Sequence, residues 1–197
     1  MSTASVEYNS ARYDLALALA DDGVVSLNHP LVLNFATPPL TPQAIEKAAG
    51  CLQGLRLYSI DVARFDAVVG MPRTGDLLAK AFAKLAGKVL VELGEWEHTG
   101  KWSVAGLKGS VPAEVEKVLL VNGSIANGDS EVQAISILQD EGIEVADVAA
   151  LVDLEQGGPE QLDEWRCRFH SVFTLTLLAD LYVDIGRMPA RTFADIG

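Results

Sequence analysis

Four short apolar runs recur through the middle of the chain: Ala67-Val68-Val69, Val89-Leu90-Val91, Val118-Leu119-Leu120-Val121, and residues 145–152, VADVAALV. Each is too short for a helix. Unbroken apolar character suits strands buried on both faces, as in a parallel sheet. Between the first two runs lies an Ala/Leu-rich stretch, residues 76–86, which Gly87 ends. Between the last two, residues 130–141 carry Val132, Ile135, Ile137 and Leu138 at helical spacing and are closed by Gly142. Strand and helix in alternation predict right-handed βαβ units. The fold class read from this pattern is α/β, with a mainly parallel central sheet and helices on both faces.

The first 60 residues read differently. Residues 13–20 (YDLALALA) predict a helix, and residues 24–35 alternate around one proline, which suggests edge strands or a hairpin. Thr41-Pro42 then opens a helix over residues 43–58, since Thr is a good N-cap and Pro suits the first helical position. Residues 92–113, rich in Gly, Ser and charge, read as a long loop between two strands, and such loops often carry function. There is no internal repeat.

Composition narrows the class. A length of 197 residues, 49% hydrophobic and 21% charged, suits one globular domain with a small subdomain. No apolar run reaches the ~18–20 residues needed to cross a bilayer, and the acidic N-terminus has no signal-peptide character. Cys51 and Cys167 lack CxxC spacing and read as reduced core cysteines of a cytoplasmic protein. The net charge of −12 disfavours nucleic acid, and the basic residues are scattered, with none between Arg12 and Lys47. No HExxH, GxGxxG or other metal or dinucleotide motif occurs, so no metal site is assigned.

The stretch most suggestive of chemistry is residues 118–130, VLLVNGSIANGDS. A strand, a Gly-bearing turn and a helix start present backbone N–H groups and a positive helix end to an anion. Taken in order with other segments, this stretch resembles the PRPP-binding signature of the type I phosphoribosyltransferases: an apolar strand, two acids, two apolar residues, then Thr-Thr-Gly-Gly-Ser/Thr. Residues 150–158 (ALVDLEQGG) are similar to the orotate-type apolar-Val-Asp-Arg-x-x-Gly-Gly. Residues 65–79 (FDAVVGMPRTGDLLA) resemble the pyrophosphate loop of that family. The family's next strand and C-terminal helix are echoed in residues 169–181.

The resemblance implies transfer of ribosyl phosphate from PRPP to orotate in pyrimidine biosynthesis, with Mg²⁺ carried by PRPP if the enzyme is active. It implies that the acidic pair holds the ribose hydroxyls, that the Gly-rich turn holds the 5′-phosphate, and that a mobile loop brings cations to pyrophosphate. Carboxylates suit hydroxyls, glycines let N–H donors approach, and cations neutralise a leaving group. The turn and its ligand contacts fall on Asn122, Gly123, Ser124, Ile125, Ala126, Asn127, Gly128, Asp129 and Ser130. The pyrophosphate loop falls on Met71, Pro72, Arg73, Thr74 and Gly75.

The departures are specific. Asn122-Gly123 stand for the acidic pair, and Ala126-Asn127 for the two threonines. Asp129 stands for the second glycine, where its charge faces the phosphate: like charges ~4 Å apart cost about 1 kcal/mol in water and ~4 near a protein surface. Asp129 and Asp76 both read as helix caps. In the mobile-loop segment LGEWEHT only His98 remains, with Lys101 and Lys108 as nearby cations; His98 and Lys101 are the candidate catalytic residues. Trp96 and Trp102 suggest packing at an interface. Near His29-Pro30, nothing is basic.

Three readings follow. The first is an orotate-type relative with degraded motifs, binding an anionic or nucleotide-like ligand or serving regulation or assembly. The second is an active phosphoribosyltransferase making a nucleoside monophosphate. The third is a partner-binding domain without a ligand. The expected layout is an N-terminal helix and hood-like segment over residues 1–40, a core over 41–185 and a tail over 186–197. The resemblance also implies a two-fold homodimer.

Overall fold

The computed structural model describes residues 3–26, 32–35, 40–55, 60–98 and 101–189. Helix α1 (Thr3–Asp21) leads into a short antiparallel pair, β1 (Val25–Ser26) and β2 (Val32–Leu33). Helix α2 (Pro42–Gly54) follows, then a 3-10 turn at Val62–Arg64. The rest is β3 (Ala67–Gly70), α3 (Asp76–Ala86), β4 (Val89–His98), β5 (Lys101–Lys108), β6 (Lys117–Ile125), α4 (Asp129–Asp140), β7 (Glu144–Asp153), α5 (Gly158–Glu164), β8 (Arg168–Thr174) and α6 (Leu175–Asp184).

Six strands form one sheet in the order β5-β4-β3-β6-β7-β8, parallel throughout except β5, which returns antiparallel to β4. The four apolar runs are its four inner strands. Apolar side chains from α1, α2, α3 and α6 pack on one face, around Val68, Leu119, Val121 and Leu151. Those of α4 and α5 pack on the other, around Val69, Val118, Leu120 and Val148. A side chain such as Phe82 or Leu138, with no exposed surface, contributes roughly 1.5–3 kcal/mol by leaving water.

The helix ends obey local rules. Thr41 caps α2, its hydroxyl accepting from the Ala44 N–H at 3.2 Å, and the same hydroxyl donates to Asp22 at 2.7 Å. Gly87 closes α3 at φ 65, the left-handed conformation that favours glycine. The two ends of the fold are stitched together, since the Tyr182 hydroxyl donates to the Ala16 carbonyl at 2.7 Å and Arg187 pairs with Asp21 at 3.1 Å.

Several expectations need correction. The loop read over residues 92–113 is largely a β-hairpin, because β4 runs on to His98 and pairs with β5 around a bulge between Leu93 and Glu95. The helix read over 13–20 begins much earlier, at Thr3. Asn122, Gly123, Ser124 and Ile125 belong to β6, so the turn proper is shorter. Asp76 and Asp129 are the first residues of α3 and α4; the caps are Gly75 and Gly128. His29-Pro30 lie outside the described residues.

Candidate functional site

The chain order reverses between β3 and β6: the chain steps from β3 outward to β4 and returns to β6 on the other side. Open α/β sheets bind ligands at the carboxyl ends of their strands at such a switch point. Both suspected loops leave the sheet there.

The β3 loop is built on backbone contacts. The Met71 N–H donates to the Val121 carbonyl and the Gly75 N–H to the Met71 carbonyl, both at 2.8 Å. A Cβ on Gly75 would sit 2.1 Å from the Val121 carbonyl oxygen and 2.7 Å from the Met71 nitrogen, so only glycine fits. Met71 and Pro72 are buried, whereas Arg73 is exposed at φ 72, an unusual conformation for a side-chain-bearing residue. The Asp76 carboxylate reaches back to the Arg73 N–H at 3.4 Å, and burial pushes its carboxyl up.

At the end of β6 the suspected ribose position is already occupied. Asn122 is buried, its side-chain oxygen accepting from the Thr74 hydroxyl and, at 2.7 Å, from the Gly123 N–H. Its amide nitrogen donates to Glu131, which is 3% exposed and whose carboxyl is pushed up by burial. Beside it, a Cβ on Gly123 would meet the Phe35 ring at 2.8 Å. The two positions that carry acids in the family motif are thus spent on an internal network and on packing against an aromatic ring.

The turn that follows is held by its own side chains. Gly128 sits at φ 87 before α4. The Asn127 side chain accepts from the Asp129 N–H at 3.3 Å and donates to its carboxylate at 2.7 Å; Gln161 of α5 donates to the other carboxylate oxygen at 3.0 Å. The Asn127 amide thus takes the Asp129 N–H, a donor an incoming anion would use, and the Asp129 carboxylate adds a negative charge beside it. Ser124 and Ser130 are half-buried, and Ala126 offers no hydroxyl.

The β7 loop packs against this turn. The Leu154 N–H donates to the Ile125 carbonyl at 2.8 Å, and Gly158 comes so close that a Cβ would lie 2.7 Å from the Ala126 carbonyl oxygen. Asp153 accepts from the Glu155 N–H at 2.8 Å, and burial pushes its carboxyl up. Leu154, aligned with the arginine of the resembled motif, is half-buried and packs against the apolar core. Glu155, at φ 58, takes both the Thr176 N–H and hydroxyl at 2.7 Å.

His98 and Lys101 face each other in register at the end of the hairpin, Trp102 lies opposite Glu97 and Lys108 opposite Glu92. The hairpin stays attached to the site through α4, where the Val104 N–H meets Gln133 at 3.4 Å. The described contacts bring Thr74, Asn122 and Glu131 together; the side chains of His98 and Lys101 lie outside the described ones. Reading the sequence alone missed Phe35 and Glu131, whose roles depend on distant packing. It also missed Asp147, buried between His170 at 2.7 Å and Arg168 at 2.8 Å. Among the described residues no group of three or more His, Cys, Asp or Glu could hold a metal ion.

This sheet order, with a Gly-bearing turn at the switch point and a hairpin beside it, is the type I phosphoribosyltransferase fold. No family model matches the chain. It is 32% identical over 130 residues to a uridine 5′-monophosphate synthase of Bos taurus, an alignment covering 65% of this chain and 26% of that protein. It is 33% identical over 118 residues to an orotate phosphoribosyltransferase of Thermococcus gammatolerans, covering 59% of each. The structure superposes on the orotate phosphoribosyltransferase of Aeropyrum pernix with a TM-score of 0.67 at 23% identity, over 87% of this chain and 99% of that one. The chain spans about a quarter to three fifths of these curated relatives' lengths. The chain is therefore orotate phosphoribosyltransferase-like, and divergent.

Proposed function

We propose that this chain is an orotate phosphoribosyltransferase-like protein that has lost phosphoribosyl transfer and acts through assembly, regulation or the binding of an anionic, nucleotide-like ligand. The observation that carries this reading is Phe35 packed against Gly123, with Asn122 tied to Thr74 and Glu131. Ribose hydroxyls would have to displace a buried ring and break a buried network. The self-paired Asp129 and the leucine at 154 point the same way. Removing one charge-stabilising group typically lowers a rate by about 10²–10³, and several losses together exceed what local rearrangement restores.

Calorimetry with PRPP and Mg²⁺, orotate and nucleoside monophosphates, followed by a pyrophosphate-release assay, tests the reading. Weak PRPP binding and no turnover are expected. Turnover near the ordinary enzymatic median of ~10 s⁻¹ would establish the active reading, in which Mg²⁺ enters with PRPP and His98 and Lys101 serve the leaving group. That second reading is favoured by the pyrophosphate loop, where Arg73 is exposed beside the cleft.

A two-fold dimer is part of the same proposal, as are the hood over residues 1–40, the core over 41–185 and the tail over 186–197. Leu77 and Leu85 on α3 and Val89 and Trp96 on β4 leave apolar surface beside the cleft, which a second copy would cover. A monomer by light scattering at high micromolar concentration overturns the dimer. A cytoplasmic setting accords with Cys51 and Cys167, both free and buried. No helix among the described residues is long and apolar enough to cross a membrane.

A further inference from the structure

We infer that the pocket between α1, α6 and the end of β8 binds a small monocarboxylate with an apolar body, its carboxylate held by Arg12. The pocket has a volume of about 240 Å³ and is lined by Asn9, Arg12, Tyr13, Phe173, Leu177 and Leu181. It lies two strands away from the β6 turn, so it is separate from the phosphoribosyltransferase-type cleft and does not depend on the function proposed for that cleft.

Arg12 makes this more than an apolar dimple. Its Nε is buried and has no hydrogen-bond partner. No ion pair joins Arg12 to a carboxylate among the described residues. The guanidinium instead lies over the Phe173 ring at 5.0 Å and near the Tyr8 ring at 5.7 Å. Aromatic rings engage the face of a guanidinium, whereas its five N–H donors lie in the plane. Stacking therefore leaves the buried Nε–H on that donor edge without an acceptor, which costs about 1–3 kcal/mol. A carboxylate meets that edge in the plane, two oxygens to two N–H groups.

The rest of the lining sets the body of the ligand. Phe173, Leu177 and Leu181 form apolar walls, with the Asn9 amide and the Tyr13 hydroxyl as the other polar groups. Leu177 and Tyr13 are each 42% exposed, a largely apolar rim left open to water. A cavity of roughly 150 Å³ holds a benzene ring, so this one has room for a ring or a short branched chain plus a carboxylate. A phosphate dianion suits it poorly, because one cation among apolar walls cannot replace its hydration. The surrounding acidity, −12 for the chain, makes this lone guanidinium the local attraction for an anion.

Phenylacetate is the probe, with benzyl alcohol as its uncharged counterpart and inorganic phosphate as an anion without an apolar body. Calorimetry on the full chain should show one-to-one binding of phenylacetate, and methyl NMR should show shifts at Leu177 and Leu181. Arg12→Met keeps the apolar stem and should weaken phenylacetate about tenfold or more, the size of one charge-assisted hydrogen bond, without lowering the melting temperature. Leu177→Trp leaves Arg12 in place, fills the cavity and should also block binding. The inference is overturned if phenylacetate does not bind at millimolar concentration, if Arg12→Met binds it unchanged, or if benzyl alcohol binds equally well. It is also overturned if the shifts fall at Ile125 instead, which places the probe in the other cleft. Dissociation of a dimer by Leu177→Trp would make the pocket an interface between copies and overturn it likewise.

Discussion

The β3–α3 loop and the β6–α4 turn face each other across the switch point, and only the first matches its family motif closely. In the β3 loop the matching glycine is dictated by the fold, since any Cβ on Gly75 would collide with the Val121 carbonyl. Its presence therefore says little about PRPP. In the β6 turn no such backbone collision fixes Asn122, Asn127 or Asp129, yet Asn122 bonds to Glu131, and Asn127 and Gln161 bond to Asp129. Motif agreement carries functional information only where packing leaves the choice of residue open.

The largest expected effect tests the first half of that comparison. Gly75→Ala should cost several kcal/mol or abolish soluble protein, as overpacking against backbone does. Gly128→Ala, strained by its φ of 87 but 3.0 Å or more from its neighbours, should cost about 1–2 kcal/mol. Urea denaturation separates the two, and equal costs would erase the distinction between the loops.

Next in size is the packing of Phe35 on Gly123. Gly123→Ala should destabilise by about 1–3 kcal/mol, and Gly123→Asp alone should not recover PRPP binding. Combined with Phe35→Ala and Asn122→Glu, it should recover measurable binding by calorimetry before any turnover. Recovery by Gly123→Asp alone would show that the ring does not hold the ribose position.

The smallest effects are electrostatic and opposite in sign. Burial raises the Glu131 carboxyl above its ordinary value. The stability this group contributes is complete below the ordinary carboxylate range and lost as pH rises through the raised value. Glu131→Gln keeps the acceptor for Asn122 and should gain about 1 kcal/mol at neutral pH. Asp147 is the contrast: burial acts to raise it, but His170 and Arg168 together hold it below its ordinary value. Its contribution is present above the ordinary range and lost as pH falls through the lowered value, so Asp147→Asn should flatten the acid limb of the stability profile. Melting temperatures across pH 3 to 8 check both signs, ~1 kcal/mol shifting the midpoint by roughly 2–4 °C at this size.

The inner strands were legible because burial on both faces leaves unbroken apolar runs. Their ends were not, because polar residues such as Asn122, Ser124 and Asp153 continue the ladder where the apolar signal stops. The hairpin was hidden because its residues alternate with glutamates and glycines and read as a loop. Pattern could place the phosphate turn but could not see that Phe35, far off in sequence, fills the space beside Gly123. The buried Asp147–His170 pair did leave a trace: an aspartate inside the run VADVAALV has to find a partner.

The stitch between Tyr182 and Ala16 has a consequence for how the chain reaches this state. Helix α1 is synthesised well before α6, yet Leu15, Ala16 and Leu19 pack in the same cluster as Leu178, Ala179 and Tyr182 of α6. During translation α1 can pack on α2 early, but its contacts with α6 must wait until all the strands between them have been made. A premature stop before α6 should therefore leave that face of the core uncovered and give a sticky, protease-sensitive product, not a smaller version of the same fold.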